Sequence, residues 1–87
     1  MKLILCKQCE DIFKLARIQR SCKCGMSSGR YLNDIDAEYS GDNAVPIGFA
    51  NSTLVKAIHN QPETGDGSEF IAFVIPKQCP TMKMTPS

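Results

Sequence analysis

Apolar and polar positions change period along this chain, and each change predicts an element. After Met1, Leu3, Ile4 and Leu5 form a short apolar run before Cys6, which predicts a strand that ends in a turn. The segment 11–21 fits two periods. Ile12, Leu15, Ala16 and Gln19 share a helical face, whereas Phe13, Leu15 and Arg17 alternate with Ile12, Lys14 and Ala16 as in a strand. Only ten to twelve residues separate the cysteines on either side, so a β-hairpin suits the return path better than a full helix. Residues 26–29 read as a small flexible exit.

From Arg30 onward the pattern has period two. Ile35, Ala37 and Tyr39 alternate with Asp34, Asp36, Glu38 and Ser40, so a strand here is apolar on one face and acidic on the other. Gly41, Asp42 and Asn43 mark a turn. Val45, Ile47 and Phe49 then share a face, and Pro46, which has no N–H to give a ladder, predicts an edge position or a break. Asn51 or Ser52 is suited to cap a helix carrying Leu54, Val55, Ala57 and Ile58 to about Asn60, before Pro62. Residues 61–69 are a loop by composition. The run 70–75, FIAFVI, is the most apolar stretch and predicts a strand buried on both faces. Its expected partners in a core are Ile35, Tyr39, Ile47, Phe49, Leu54 and Ile58, with Phe70, Phe73 and Ile75 from the run itself. The tail 77–87 has little to bury and is expected to fray.

Four of the five cysteines change this picture. Cys6 and Cys9 are separated by two residues and Cys22 and Cys24 by one, with twelve residues between the pairs. Two close pairs of soft ligands in one short segment match the two-knuckle spacing of a structural zinc ion held by four thiolates. In such knuckles the N–H groups after the first ligand point at its sulfur, and Gly25 suits the left-handed backbone that closes the second turn. An iron–sulfur centre and a redox dithiol are the competing uses of the same residues. The dithiol fits less well, because a thioredoxin-like CxxC opens a helix and here charged residues and a second pair follow. Cys79 and His59 are single and distant, and read as a tail thiol and a helix-end imidazole.

Eighty-seven residues make one small domain with a modest core, so a bound metal contributes materially to folding. The apolar run after Lys2 is three residues long, too short for a secretory leader, and no stretch approaches the roughly 20 apolar residues of a membrane span. An odd number of cysteines without a leader indicates a reducing cytoplasm, where the thiols serve as ligands and not as disulfides.

Charge is unevenly spread. Residues 1–30 hold seven cations (Lys2, Lys7, Lys14, Arg17, Arg20, Lys23, Arg30) against Glu10 and Asp11, a formal +5. Residues 31–87 hold three lysines against seven carboxylates, a formal −4. Four thiolates around one Zn2+ add −2, which leaves the N-terminal part near +3 and the chain near −1. Lys7, Lys14, Arg17, Arg20, Lys23 and Arg30 are therefore candidate contacts for a protein partner or for nucleic acid, although aromatic side chains are sparse among them. Asn51, Ser52 and Thr53, at a helix start, are a candidate anion site, and ordinary capping explains the same residues. Asp34, Asp36 and Glu38 read as a solvated strand face and not as a general acid–base pair. One histidine, no nucleophile beside a base and no open metal position disfavour an enzyme.

At LCKQCEDIF, RSCKCGMSSGRYL and PIGFANSTLVKAI the chain resembles small zinc-ribbon-like proteins of bacteria and bacteriophages, a family without an established activity. The resemblance implies a ribbon component and no catalytic residues; here CxC stands where the second knuckle more often has CxxC. The expected fold is a small α+β domain. It has a four-cysteine, zinc-ribbon-like hairpin unit in 1–29, a small antiparallel sheet with one short helix in 30–76, and a tail in 77–87. The expected function is non-enzymatic: a zinc-stabilised protein-interaction module or inhibitor, with nucleic-acid binding through the basic part and small-anion binding at the helix start 48–53 as alternatives.

Overall fold

A computed structural model describes residues 1–86 as two four-stranded sheets and one helix. The first sheet has the order β2 (Ile12–Lys14), β1 (Lys2–Cys6), β6 (Ala44–Phe49), β7 (Ala72–Val74), all antiparallel. The second has the order β3 (Arg20–Ser21), β4 (Ser28–Tyr31), β5 (Ala37–Ser40), β8 (Met82–Met84), with β8 parallel to β5. Helix α1 (Asn51–His59) links β6 to the loop before β7. The small α+β class expected from the sequence is the one observed.

The chain weaves between the sheets instead of completing one unit before starting the next. The strands expected to form a hairpin inside 11–21 part company: β2 pairs with β1 and β3 pairs with β4. The boundary expected at Gly29 falls inside β4, and β1 takes β6 as its second neighbour. Non-local pairing prevails because β1 can bury Ile4 and Cys6 only if strands on both sides complete its ladder.

The core lies between the sheets and consists of Ile4, Cys6, Phe13, Leu15, Cys22, Ala37, Tyr39, Ile75 and Met82. Of the nine residues expected there, Tyr39 and Ile75 are buried. Ile35 is exposed because the strand begins two residues later, at Ala37, and Asn33 holds a tight turn by accepting the N–H groups of Ile35 and Asp36 at 2.8 Å. Asp34 and Asp36 accordingly lie outside β5, so no acidic strand face forms. Ile47, Phe49 and Leu54 are half-buried, while Ile58, Phe70 and Phe73 are exposed.

Further expectations are corrected. The apolar run 70–75 is an edge, with Phe73 51% and Val74 69% exposed, and only Ile75 turns into the core. Pro46, expected at an edge or a break, sits in the central strand β6, opposite Ile4 on one side. Its carbonyl accepts the Ile75 N–H at 2.9 Å just past the end of β7, so its missing donor faces a place where the ladder has stopped. The tail, expected to bury little, does contribute to the core: Met82 is fully buried in β8 and the Thr85 N–H donates to the Tyr39 carbonyl at 2.7 Å. The tail expectation for Ser87 lies outside the described residues.

Lys2 ties the sandwich together at one side. Its Nζ donates to the carbonyls of Thr81, at 2.8 Å, and of Ile35, and lies over the Tyr31 ring. Gly48 has no side chain because the Phe73 ring rests on it; a Cβ there would meet Cε2 at 2.5 Å.

Candidate metal centre

Each sheet delivers one pair of thiols to the same point. Cys6 is the last residue of β1, and Cys9 follows in the turn before β2. Cys22 comes directly after β3, and Cys24 lies in the turn that leads to β4. The two turns are built alike. In the first, Glu10 N–H donates to the Cys6 carbonyl at 2.7 Å; in the second, Gly25 N–H donates to the Cys22 carbonyl at 3.1 Å. The residue after the second cysteine is left-handed in both, Gly25 at φ 77° and Glu10 at φ 59°. Glycine takes that conformation freely, as the sequence suggested, whereas at Glu10 an ordinary side chain accepts the strain. Asp11 joins the turns by accepting the Lys23 N–H at 3.1 Å.

The four sulfur atoms lie within 4.8 Å of one another, with Cys6 to Cys24 at 3.8 Å and Cys22 to Cys24 at 3.4 Å. Four thiolates on a tetrahedron around one ion, at metal–sulfur bonds of about 2.3 Å, would stand about 3.8 Å apart. The donor set therefore fits a metal ion. Cys6 and Cys22 are buried, Cys9 is half-buried and Cys24 is exposed, so the site opens on one side only.

The surroundings favour anionic sulfur. Ser27 N–H donates to Cys22 Sγ at 3.4 Å. The Cys6 thiol is held below its ordinary pKa by the Ser27 hydroxyl and by the N–H groups of Cys9 and Gln8, against the effect of burial. Burial pushes the Cys22 thiol up, but the Ser27 N–H and the thiols of Cys24, Cys6 and Cys9 outweigh it and bring Cys22 to about 6. At Cys24 the Met26 N–H lowers the pKa, yet the Cys22 sulfur and burial prevail and push it up to about 12. Cys6, Cys22 and Cys24 thus hold their protons unevenly, the behaviour of a cluster that needs a cation to ionise fully.

An independent sign of a charged neighbour is Ser27. It is fully buried, and its hydroxyl, near enough to lower the Cys6 pKa, falls short of a formed hydrogen bond and has no partner. A buried hydroxyl without a partner is costly, and a thiolate held by a metal is an acceptor for it.

The other expected site residues are scattered. Cys79 lies away from the cluster, at the turn before β8, where its sulfur is 3.6 Å from Thr81 Oγ1. His59 is exposed in the last turn of α1. At the helix start, Ala50 and not Asn51 or Ser52 is the N-cap, without a side-chain cap. Asn51 Oδ1 accepts from the N-terminal ammonium at 2.6 Å. Thr53 Oγ1 donates to the Ala50 carbonyl at 2.7 Å and accepts the Ile71 N–H at 2.9 Å, leaving Ser52 the uncommitted member of the trio.

The basic residues are all exposed, and two of them are ion-paired. Arg17 pairs with Asp34 at 2.6 Å and Arg30 with Glu38 at 2.9 Å, joining the basic part to the acidic one. Arg20 donates to the Lys14 carbonyl at 3.0 Å. Among the described residues Lys7, Lys14, Arg20 and Lys23 have no carboxylate partner. A feature the sequence did not reveal is the apolar end formed by α1 and β7. Val55, Ile58, Ile71, Phe73 and Val74 are each more than half exposed there.

Among the described residues no helix is long and apolar enough to cross a membrane. No family model matches the chain, and no curated protein or solved structure matches it.

Proposed function

We propose that this protein is a non-catalytic binding module of a reducing compartment such as the cytoplasm. Its two sheets are fastened by one structural zinc ion on Cys6, Cys9, Cys22 and Cys24, and its partner is another protein. The observation that carries the binding reading is the set of exposed apolar side chains on α1, Val55 and Ile58, and on the edge strand β7, Phe73 and Val74. Exposed apolar side chains of this number suit a protein interface and not a polyanion. Soft thiolates at tetrahedral spacing support zinc, and a shell of four protein ligands leaves no open position for catalysis.

Metal analysis of the purified chain is expected to give one zinc per molecule. Capture from an extract with wild type and with Val55→Glu/Ile58→Glu tests the surface. Neither side chain is buried, so the variant keeps its fold and loses its partners. Identical partner sets would overturn the reading. Binding that instead tracks Arg20→Glu/Lys23→Glu and weakens steeply with salt would turn it towards nucleic acid.

A further inference from the structure

The outer strands of the two sheets are β2, β7, β3 and β8, and three of them carry a cation: Lys14, Arg20 and Lys83. A cation on an edge opposes pairing with the same edge of a second copy, since self-pairing brings like charges together. β7, Ala72–Val74, carries none, and Phe70, Ile71 and Ile75 extend its apolar run.

The backbone of β7 is also open. Ile75 N–H donates to the Pro46 carbonyl and Ile71 O accepts the Ala50 N–H, each at 2.9 Å, while Phe73 stands opposite Gly48. Peptide groups alternate in direction along a strand, so Ile71, Phe73 and Ile75 face β6. Ala72 and Val74 therefore turn their N–H and C=O groups away from the sheet, towards solvent.

We propose that two copies of this chain associate through β7, antiparallel about a two-fold axis at Phe73, joining their four-stranded sheets into one continuous sheet. The edge is self-complementary about that axis. Ala72 of one copy stands opposite Val74 of the other, and each exchanges N–H and C=O bonds with its counterpart. Phe73 stands opposite itself in the close, non-hydrogen-bonded pair, where an aromatic pair is favourable and no charge opposes contact. A three-residue ladder alone is smaller than the roughly 1,200 Å² that stable interfaces bury. Additional apolar area is at hand in Phe70 and Ile71, which flank the strand on the same edge.

The inference goes beyond the binding reading and is tested separately, by sedimentation equilibrium of the full chain as purified, from micromolar concentrations upward. Wild type is expected to be a dimer. Val74→Pro removes an N–H that faces outward and leaves the β6 ladder untouched, so it is expected to weaken the dimer about tenfold or more with unchanged metal content. Phe73→Lys and Phe73→Glu are each expected to be monomeric alone and to form a mixed dimer when combined, and this pair decides if Val74→Pro does not fold. A monomeric wild type, a Val74→Pro dimer as tight as wild type, or a Phe73→Lys homodimer overturns the inference. A monomer whose partner capture still depends on Val55 and Ile58 would do so while leaving the binding reading intact.

Discussion

Replacing Ser27 by Ala should have opposite effects with and without metal. Ser27 is fully buried, its carbonyl accepts the Cys22 N–H at 3.0 Å, and its own N–H donates to Cys22 Sγ, so its backbone is fixed beside the cluster. The hydroxyl alone is left over. Gly41 closes the other side: a Cβ there would meet Ser27 Oγ at 3.2 Å and the Met26 carbonyl at 2.4 Å. In the metal-free chain an orphaned buried hydroxyl costs about 1–3 kcal/mol, and alanine removes it while keeping the methyl volume, so Ser27→Ala should stabilise that state by about 1 kcal/mol. With metal bound, the hydroxyl has a thiolate to which it can donate, and losing an outer-shell partner of this kind typically lowers metal affinity about 10–100-fold. Denaturant unfolding under chelator measures the first arm and competition with a coloured zinc chelator the second. A purely packing role would destabilise both states. That result, or an affinity within about twofold of wild type, would refute the reasoning.

Cys22→Ser/Cys24→Ser should abolish stoichiometric metal binding and Cys79→Ser should leave it unchanged, as read by metal analysis after gel filtration, because the Cys79 sulfur belongs to a different turn. Thiolate absorbance of the metal-free protein should rise near pH 6, from Cys22, whereas Cys24 should hold its proton to about 12. The folded pKa of Cys22 lies below its unfolded value of about 8.5, so its contribution to stability is complete above that pH and is lost as pH falls through about 6. Met82→Ala, at a fully buried site, should cost about 2–5 kcal/mol in urea unfolding, and Phe73→Ala, half exposed on an edge, about 2 kcal/mol or less. Asp34→Asn should change stability by less than about 0.5 kcal/mol, because both members of its pair with Arg17 are well exposed.

The cluster of four cysteines was legible in the sequence because ligand spacing is a local property. A knuckle needs two sulfurs a turn apart and a residue that tolerates the left-handed region behind them, and Cys6, Cys9, Cys22, Cys24 and Gly25 supply these within a short segment. Strand β1 and helix α1 were legible for the same reason, since their periodicity lies in consecutive residues. Which strand is an edge is not local. FIAFVI reads as a buried strand, yet β6 has two sides, β1 occupies one, and no later strand covers β7 on the other. Pro46 points the other way: its missing N–H argues for an edge, and only the end of β7 beside it makes a central position harmless. The tail illustrates the same dependence, because Met82 is buried only when β5 stands beside it in register. The charge division was a correct count, but tertiary structure decided its meaning by setting Arg17 against Asp34 and Arg30 against Glu38. Composition and spacing determined the ligands; burial, edges and pairing were decided by contacts between distant residues, whose energy depends on neighbours that a linear pattern does not name.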